Sequence, residues 1–159
     1  MRKLWAPWRS KYIYSRKGKR CIFCGVKAAK NLRKRLVVAL SRHSFAMLNL
    51  YPYNNGHVMV APYRHVRSLE MLSDAELLDM MKLVNAMKAR LDRAIEPQGF
   101  NIGVNIGHAA GAGIAGHVHI HIVPRWKGDT NFMPAVADMR VISESLEAMY
   151  GLLIKKQPC

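Results

Sequence analysis

The sequence predicts an α+β fold: an antiparallel sheet of about five strands, one long central helix packed on it and a C-terminal helix. Three observations lead there. Residues 116–124 read Gly-His-Val-His-Ile-His-Ile-Val-Pro, with polar and aliphatic residues alternating at the period of a strand. Residues 73–97 place apolar side chains at three- and four-residue steps between a capping signal and a proline. The other aliphatic runs are short and separated by turn formers, as antiparallel strands joined by tight connections require.

Residues 1–20 form a basic extension with interspersed aromatics (Trp5, Trp8, Tyr12, Tyr14), and residues 21–159 form a single domain. Leu36–Leu40 and Ser44–Leu50 read as two strands joined at Ser41-Arg42-His43. The segment from Tyr51 to Gly56 is dense in turn residues, and His57–Pro62 makes a third strand closed by its proline. Ser73 and Glu76 have the spacing of a capping box that opens the long helix. Its apolar stripe runs through Leu77, Met80 or Met81, Val84, Met87, Leu91 and Ile95; Pro97 and Gly99 end it. Gly99–Ile106 is the fourth strand, the Gly/Ala segment His108–Ala115 a loop, and the histidine strand the fifth. Residues 138–156 carry Val141, Leu146, Met149 and Leu153 at helical spacing.

Composition narrows the class. Half of the residues are hydrophobic, which suits a packed core rather than a disordered chain. No apolar run approaches the roughly 18 residues that span a bilayer. The N-terminus has basic residues with no apolar stretch behind them, unlike a signal peptide, so a cytoplasmic protein without membrane partners is expected. The formal charge is +15, and 16 of the 25 Lys and Arg residues precede the first acid, Glu70. Such a field attracts phosphate, whether on nucleotides or on nucleic acid.

On a strand His117, His119 and His121 share one face, while Val118, Ile120 and Ile122 share the other and are buried. A row of clustered imidazoles is costly unless it has a task. Imidazole is a competent nucleophile near neutral pH, and His119 has a histidine on each side to orient it. The loop Gly111-Ala112-Gly113 before this strand lets backbone N–H groups approach a phosphoryl oxygen. Cys21-Ile22-Phe23-Cys24 can supply two thiolates to a tetrahedral zinc. Spacing alone leaves His43, His57, His65 and His117 as candidates for the remaining ligands, and two unmetallated structural cysteines as the other reading.

The alternating histidine motif resembles the signature of the histidine triad family of nucleotide hydrolases and transferases, and the resemblance extends from about Cys21 to Trp126. It implies a HIT-like fold, with His119 as nucleophile and His117 and His121 holding its ring and contacting phosphate. A fourth catalytic histidine falls on His57. Asn49 falls on the residue that contacts the ribose, and Asn105 on one that contacts phosphate. Gly111, Ala112 and Gly113, with His119 and His121, complete the nucleotide-binding set. In metal-bearing relatives the zinc ligands fall on Cys21, Cys24, His65 and His117, a closed structural site. No organic cofactor is implied. Family members are commonly homodimers.

Within that family, Leu4–Arg9, Leu48–Asn54, Gly99-Phe100-Asn101 and the segment from Pro124 through Phe132 look like the diadenosine tetraphosphate phosphorylase group. Gly113 stands where that group can carry a serine that helps bind the attacking phosphate, so water and phosphate both remain as acceptors. The expected activity is cleavage of dinucleoside polyphosphates at the α-phosphate through a nucleotidyl-histidine. The alternatives are a nucleoside phosphoramidase and a nucleic-acid-binding or aprataxin-like deadenylating protein acting through the basic N-terminal half.

Overall fold

The computed structural model describes residues 21–129 and 144–155. The expectations for the extension 1–20 and for Val141 fall outside those residues. Five strands form one sheet: β1 (Val37–Leu40), β2 (Ser44–Leu48), β3 (Val58–Pro62), β4 (Gly99–Val104) and β5 (Ile120–Arg125). Their spatial order is β1-β2-β3-β5-β4, and every neighbouring pair is antiparallel. Helix α1 (Asp74–Ile95) bridges β3 to β4, and α2 (Leu146–Ile154) packs beside it.

The capping box at the start of α1 is formed as the sequence predicts. Ser73 Oγ accepts the Glu76 N–H, while the Glu76 carboxylate accepts the Ser73 N–H. The buried stripe is Met80, Leu83, Val84, Met87 and Leu91, so Met80 rather than Met81 turns inward. It packs on Ala46, Leu48, Val58, Val60, Val118, Ile120 and Ile122, with Met149 and Leu153 of α2 completing the cluster. Each such aliphatic side chain contributes about 1.5–3 kcal/mol of burial. Asp79, on the same helix, accepts hydrogen bonds from Ser41 Oγ (2.6 Å), Ser44 Oγ (2.5 Å) and the His43 N–H (3.2 Å), fixing the β1–β2 turn to α1.

A second apolar cluster covers the opposite face of the sheet. Phe23, Val26, Val37, Phe45, Met47, Met59 and Ala61 form it. Strands β2 and β3 are therefore buried at every position. No helix among the described residues is long and apolar enough to cross a membrane.

Several element ends differ from the sequence expectation: β1 begins at Val37, β3 at Val58, and α2 at Leu146 behind its N-cap Ser145. β2 ends at Leu48 and β4 at Val104. The histidine strand begins only at Ile120, so His117, in a bend, and His119 precede it. The reason is Pro62: it has no N–H to continue the β3–β5 ladder, whose last pair is Val60 and Ile120. Beyond that point the Val118 N–H donates to the Val66 carbonyl at 2.7 Å.

Candidate functional site

Strand alternation puts His117, His119 and His121 on the face opposite Val118, Ile120 and Ile122, which are 2%, 6% and 0% exposed against the helices. The histidine face is not open to solvent either. His117 and His119 are buried beneath Phe23, whose ring centroid lies 5.1 Å from that of His117 and 4.8 Å from that of His119.

Hydrogen bonds assign the proton on each ring. His117 Nε2–H donates to the Pro62 carbonyl at 2.9 Å, which turns its Nδ1 lone pair toward the two cysteines. His119 Nδ1–H donates to the His117 carbonyl at 2.8 Å, which leaves the lone pair on Nε2. Burial lowers the pKa of both rings below the ordinary histidine value, against the opposing effect of these carbonyl bonds. Burial thereby favours the neutral form of His119.

His57 and His121 form a second pair, with His57 Nε2 and His121 Nδ1 2.9 Å apart. The Tyr53 N–H donates to His57 Nδ1 at 3.0 Å, and the Asn49 side-chain amide lies 3.3 Å from the same nitrogen. His57 Nδ1 is therefore an acceptor, Nε2 carries the proton and gives it to His121 Nδ1, and a neutral His121 bears its own proton on Nε2. The His121 ring meets His119 edge-on at 4.7 Å.

Asn49 Oδ1 accepts the Tyr51 N–H at 3.0 Å, which holds the side chain at the mouth of the turn after β2. β4 ends at Val104, opposite Ile120, so Asn105 leaves the sheet at the level of His119. In the glycine-rich loop the Gly111 N–H donates to the His108 carbonyl and the Ala112 N–H to that of Gly107. Those two amides brace the loop, and among the described residues Gly113 is the member of the trio without such a backbone bond. Gly107 and Gly111 have φ of 82° and 85°, where a side chain would be strained.

Cys21, Cys24, His65 and His117 converge, their ligand atoms lying within 4.8 Å of one another. Cys21 Sγ is 3.5 Å and Cys24 Sγ 3.7 Å from His117 Nδ1, and Cys24 Sγ is 3.0 Å from His65 Nδ1. Of the four histidines that spacing left open, the fold selects His65 and His117. Burial, with Cys21 beside it, raises the Cys24 thiol pKa, a cost that a cation between the sulfurs would relieve. Two soft thiolates with two imidazoles suit a tetrahedral metal.

Sequence reasoning missed two contributors. In the sequence Phe23 is only a spacer between two cysteines, yet its ring covers His119. Tyr53 was read as a turn former, yet its N–H fixes His57 and its ring stacks on that histidine at 4.9 Å and 19°. Position four residues before His57 was the one available signal for Tyr53.

A five-stranded antiparallel sheet with buried, tautomer-defined histidines beside a Cys₂His₂ cluster defines a nucleotide-handling class, and the comparisons agree. The HIT domain family model matches residues 31–128, and the chain belongs to that family. It is 37% identical over 161 residues to the AP-4-A phosphorylase of Mycobacterium tuberculosis, spanning 96% of this chain and 83% of that one. It is 38% identical over 86 residues to an asymmetrical bis(5'-nucleosyl)-tetraphosphatase of Schizosaccharomyces pombe, spanning 54% of this chain and 47% of that one. A hypothetical histidine triad nucleotide-binding protein of Sulfolobus tokodaii superposes with a TM-score of 0.66 at 25% identity, over 84% of this chain and 89% of the other.

Proposed function

We propose that this protein is an enzyme that cleaves dinucleoside polyphosphates of the diadenosine tetraphosphate type, with His119 as the nucleophile. One observation carries the mechanism: His119 is buried with Nδ1–H committed to the His117 carbonyl, so the lone pair left to attack is on Nε2. The names of its relatives, a phosphorylase and a tetraphosphatase, supply the substrate class.

Nε2 attacks the α-phosphorus, forming an N–P bond as the P–O bond to the rest of the polyphosphate breaks and that chain leaves. The second acceptor, water or orthophosphate, then attacks phosphorus and breaks the N–P bond, returning the electron pair to Nε2. His121 Nε2–H donates to a non-bridging oxygen on which charge accumulates, as do the Gly113 N–H and the Asn105 side chain. Asn49 lies where it can meet the ribose, and Phe23 excludes water from the nucleophile.

Cys21, Cys24, His65 and His117 hold zinc in this reading. Tetrahedral bonds of about 2.3 Å to sulfur and about 2.0 Å to nitrogen place ligand atoms roughly 3.3–3.8 Å apart. The separations of Cys21 and Cys24 from His117, 3.5 and 3.7 Å, fall in that range, and the 3.0 Å between Cys24 and His65 is shorter, so that pair would part slightly around the ion. With four protein ligands the metal is structural, and it supplies rigidity to the His117 ring rather than a site for substrate. The domain is taken to begin at Cys21, because the metal loop is integral to the histidine face. A homodimer in the cytoplasm is the expected working form, and the basic N-terminal half serves as a general attractor of polyphosphate.

Product analysis from diadenosine tetraphosphate, with and without orthophosphate, tests the reading. ADP and ATP appearing only with phosphate make the enzyme a phosphorylase. AMP and ATP formed in water make it a hydrolase. No turnover, with release of AMP from a nucleoside phosphoramidate instead, overturns the substrate assignment.

A further inference from the structure

The segment after β5 reaches back to the turn that carries Tyr53, through contacts that no step above uses. Asp129 lies beyond the end of β5, and its carboxylate is ringed by donors. Arg125 Nε approaches it at 2.6 Å, an Arg125 terminal nitrogen at 2.8 Å and the Trp126 N–H at 3.3 Å. The fourth donor comes from a distant part of the chain: Asn54 Nδ2 donates to Asp129 Oδ2 at 2.8 Å and to the Pro124 carbonyl at 3.1 Å. Asn54 is 7% exposed, so these bonds are sheltered from competing water.

Asn54 occupies a particular place in the turn. Its carbonyl accepts the His57 N–H at 3.2 Å, and its side-chain oxygen accepts the Asn55 N–H at 3.1 Å. The residue before it, Tyr53, gives its N–H to His57 Nδ1. Gly56, at φ 71°, closes the turn against Ile95, Leu91 and Pro124. The turn is thus pinned at Asn54, one residue from the amide that sets the proton on His57.

We infer that Asn54 and Asp129 are positioning residues for the histidine pair: the Asp129–Asn54 bond holds the Tyr53 N–H on His57 Nδ1 and so keeps the Nε2 proton of His121 aimed at the reacting phosphate. The inference rests on the catalytic role assigned above to His121. Arg125 serves the carboxylate, since its bidentate grip fixes the orientation in which Asp129 faces Asn54. A donor misplaced by a fraction of an ångström is enough to matter, because transition-state stabilisation depends on preorganised geometry.

The test uses the full chain and the variants Asn54→Ala, Asp129→Ala and the double substitution, with Asn54→Ser as the milder change should alanine not fold. Long-range ¹⁵N–¹H NMR of the histidine rings reads the His57 tautomer without any substrate. The wild type is expected to hold the proton on Nε2, and each variant to mix in the Nδ1-protonated form. With diadenosine tetraphosphate as substrate, kcat is expected to fall about tenfold with KM changed less than threefold. The double variant should be no worse than either single one, as for two residues acting through one bond. Asn101→Ala removes a different Arg125 hydrogen bond and should leave both readouts unchanged.

An unchanged His57 tautomer in folded variants overturns the inference, as does a mixed tautomer with unchanged kcat. Losses that multiply in the double variant overturn it too, because they mean independent structural damage. A wild type inert toward dinucleoside polyphosphates refutes the proposed function instead, and the tautomer measurement then decides the positioning role alone.

Discussion

His119 donates its Nδ1–H to the backbone carbonyl of His117, while the His117 side chain gives its own Nε2–H to Pro62 and turns Nδ1 to the cysteines. One residue thereby orients the His119 ring through its main chain and joins the Cys/His cluster through its side chain. The cluster and His119 are neighbours by construction.

In the proposed mechanism His119→Ala removes the group that forms the N–P bond. Turnover is expected to fall by at least about three orders of magnitude, in line with loss of a nucleophile. Intact-mass spectrometry of quenched wild type should reveal a nucleotidyl adduct that the variant lacks. Retention of near-wild-type turnover would remove His119 from the mechanism.

Cys24→Ala deletes a ligand that lies within reach of both His65 and His117. Purified variant should contain little zinc by elemental analysis, against about one ion per chain in the wild type. A strong chelator should lower the melting temperature of the wild type and leave that of the variant unmoved, since metal binding contributes to folding. Equal metal content in the two proteins would refute the site.

Acid should weaken the junction between α1 and the segment before it. The Arg64 guanidinium, aided by the Ser73 N–H, lowers the Glu76 pKa from 4.5 to about 2. A carboxylate with a depressed folded pKa contributes stability that is complete above pH 4.5 and is lost as the pH falls toward 2. Glu76→Gln should therefore be less stable than wild type at pH 7, with the difference shrinking below pH 4. Denaturant melts at pH 7 and pH 3 measure this, and parallel curves for the two proteins would contradict it.

Gly56→Ala places a methyl group 2.7 Å from Ile95 Cδ1 at a φ of 71°. Both the backbone and the contact oppose it, so a loss of at least about 1 kcal/mol is expected. Because Gly56 precedes His57, activity should fall further than the folded fraction does. Denaturant titration and kcat measured on the same sample separate the two effects.

The sequence by itself determined the local features. The alternation through Ile122 settles the two faces of the histidine segment, because side chains on extended backbone can point only two ways. Ser73 and Glu76 set the start of α1, since a capping box is made within one turn of chain. His119 as the candidate between two histidines was legible for the same reason: its flanking histidines are its neighbours along the chain. Only the tertiary structure decided which distant groups meet. Nothing in the spacing of Cys21 and Cys24 favours His65 over His43; the sheet does so, by carrying the segment after β3 to His117. The same holds for Pro62, which ends the ladder and accepts the His117 proton, and for Phe23, which covers His119 from the opposite layer. Hydrogen bonds between residues 55 to 96 positions apart depend on register and layer packing, which local periodicity does not encode.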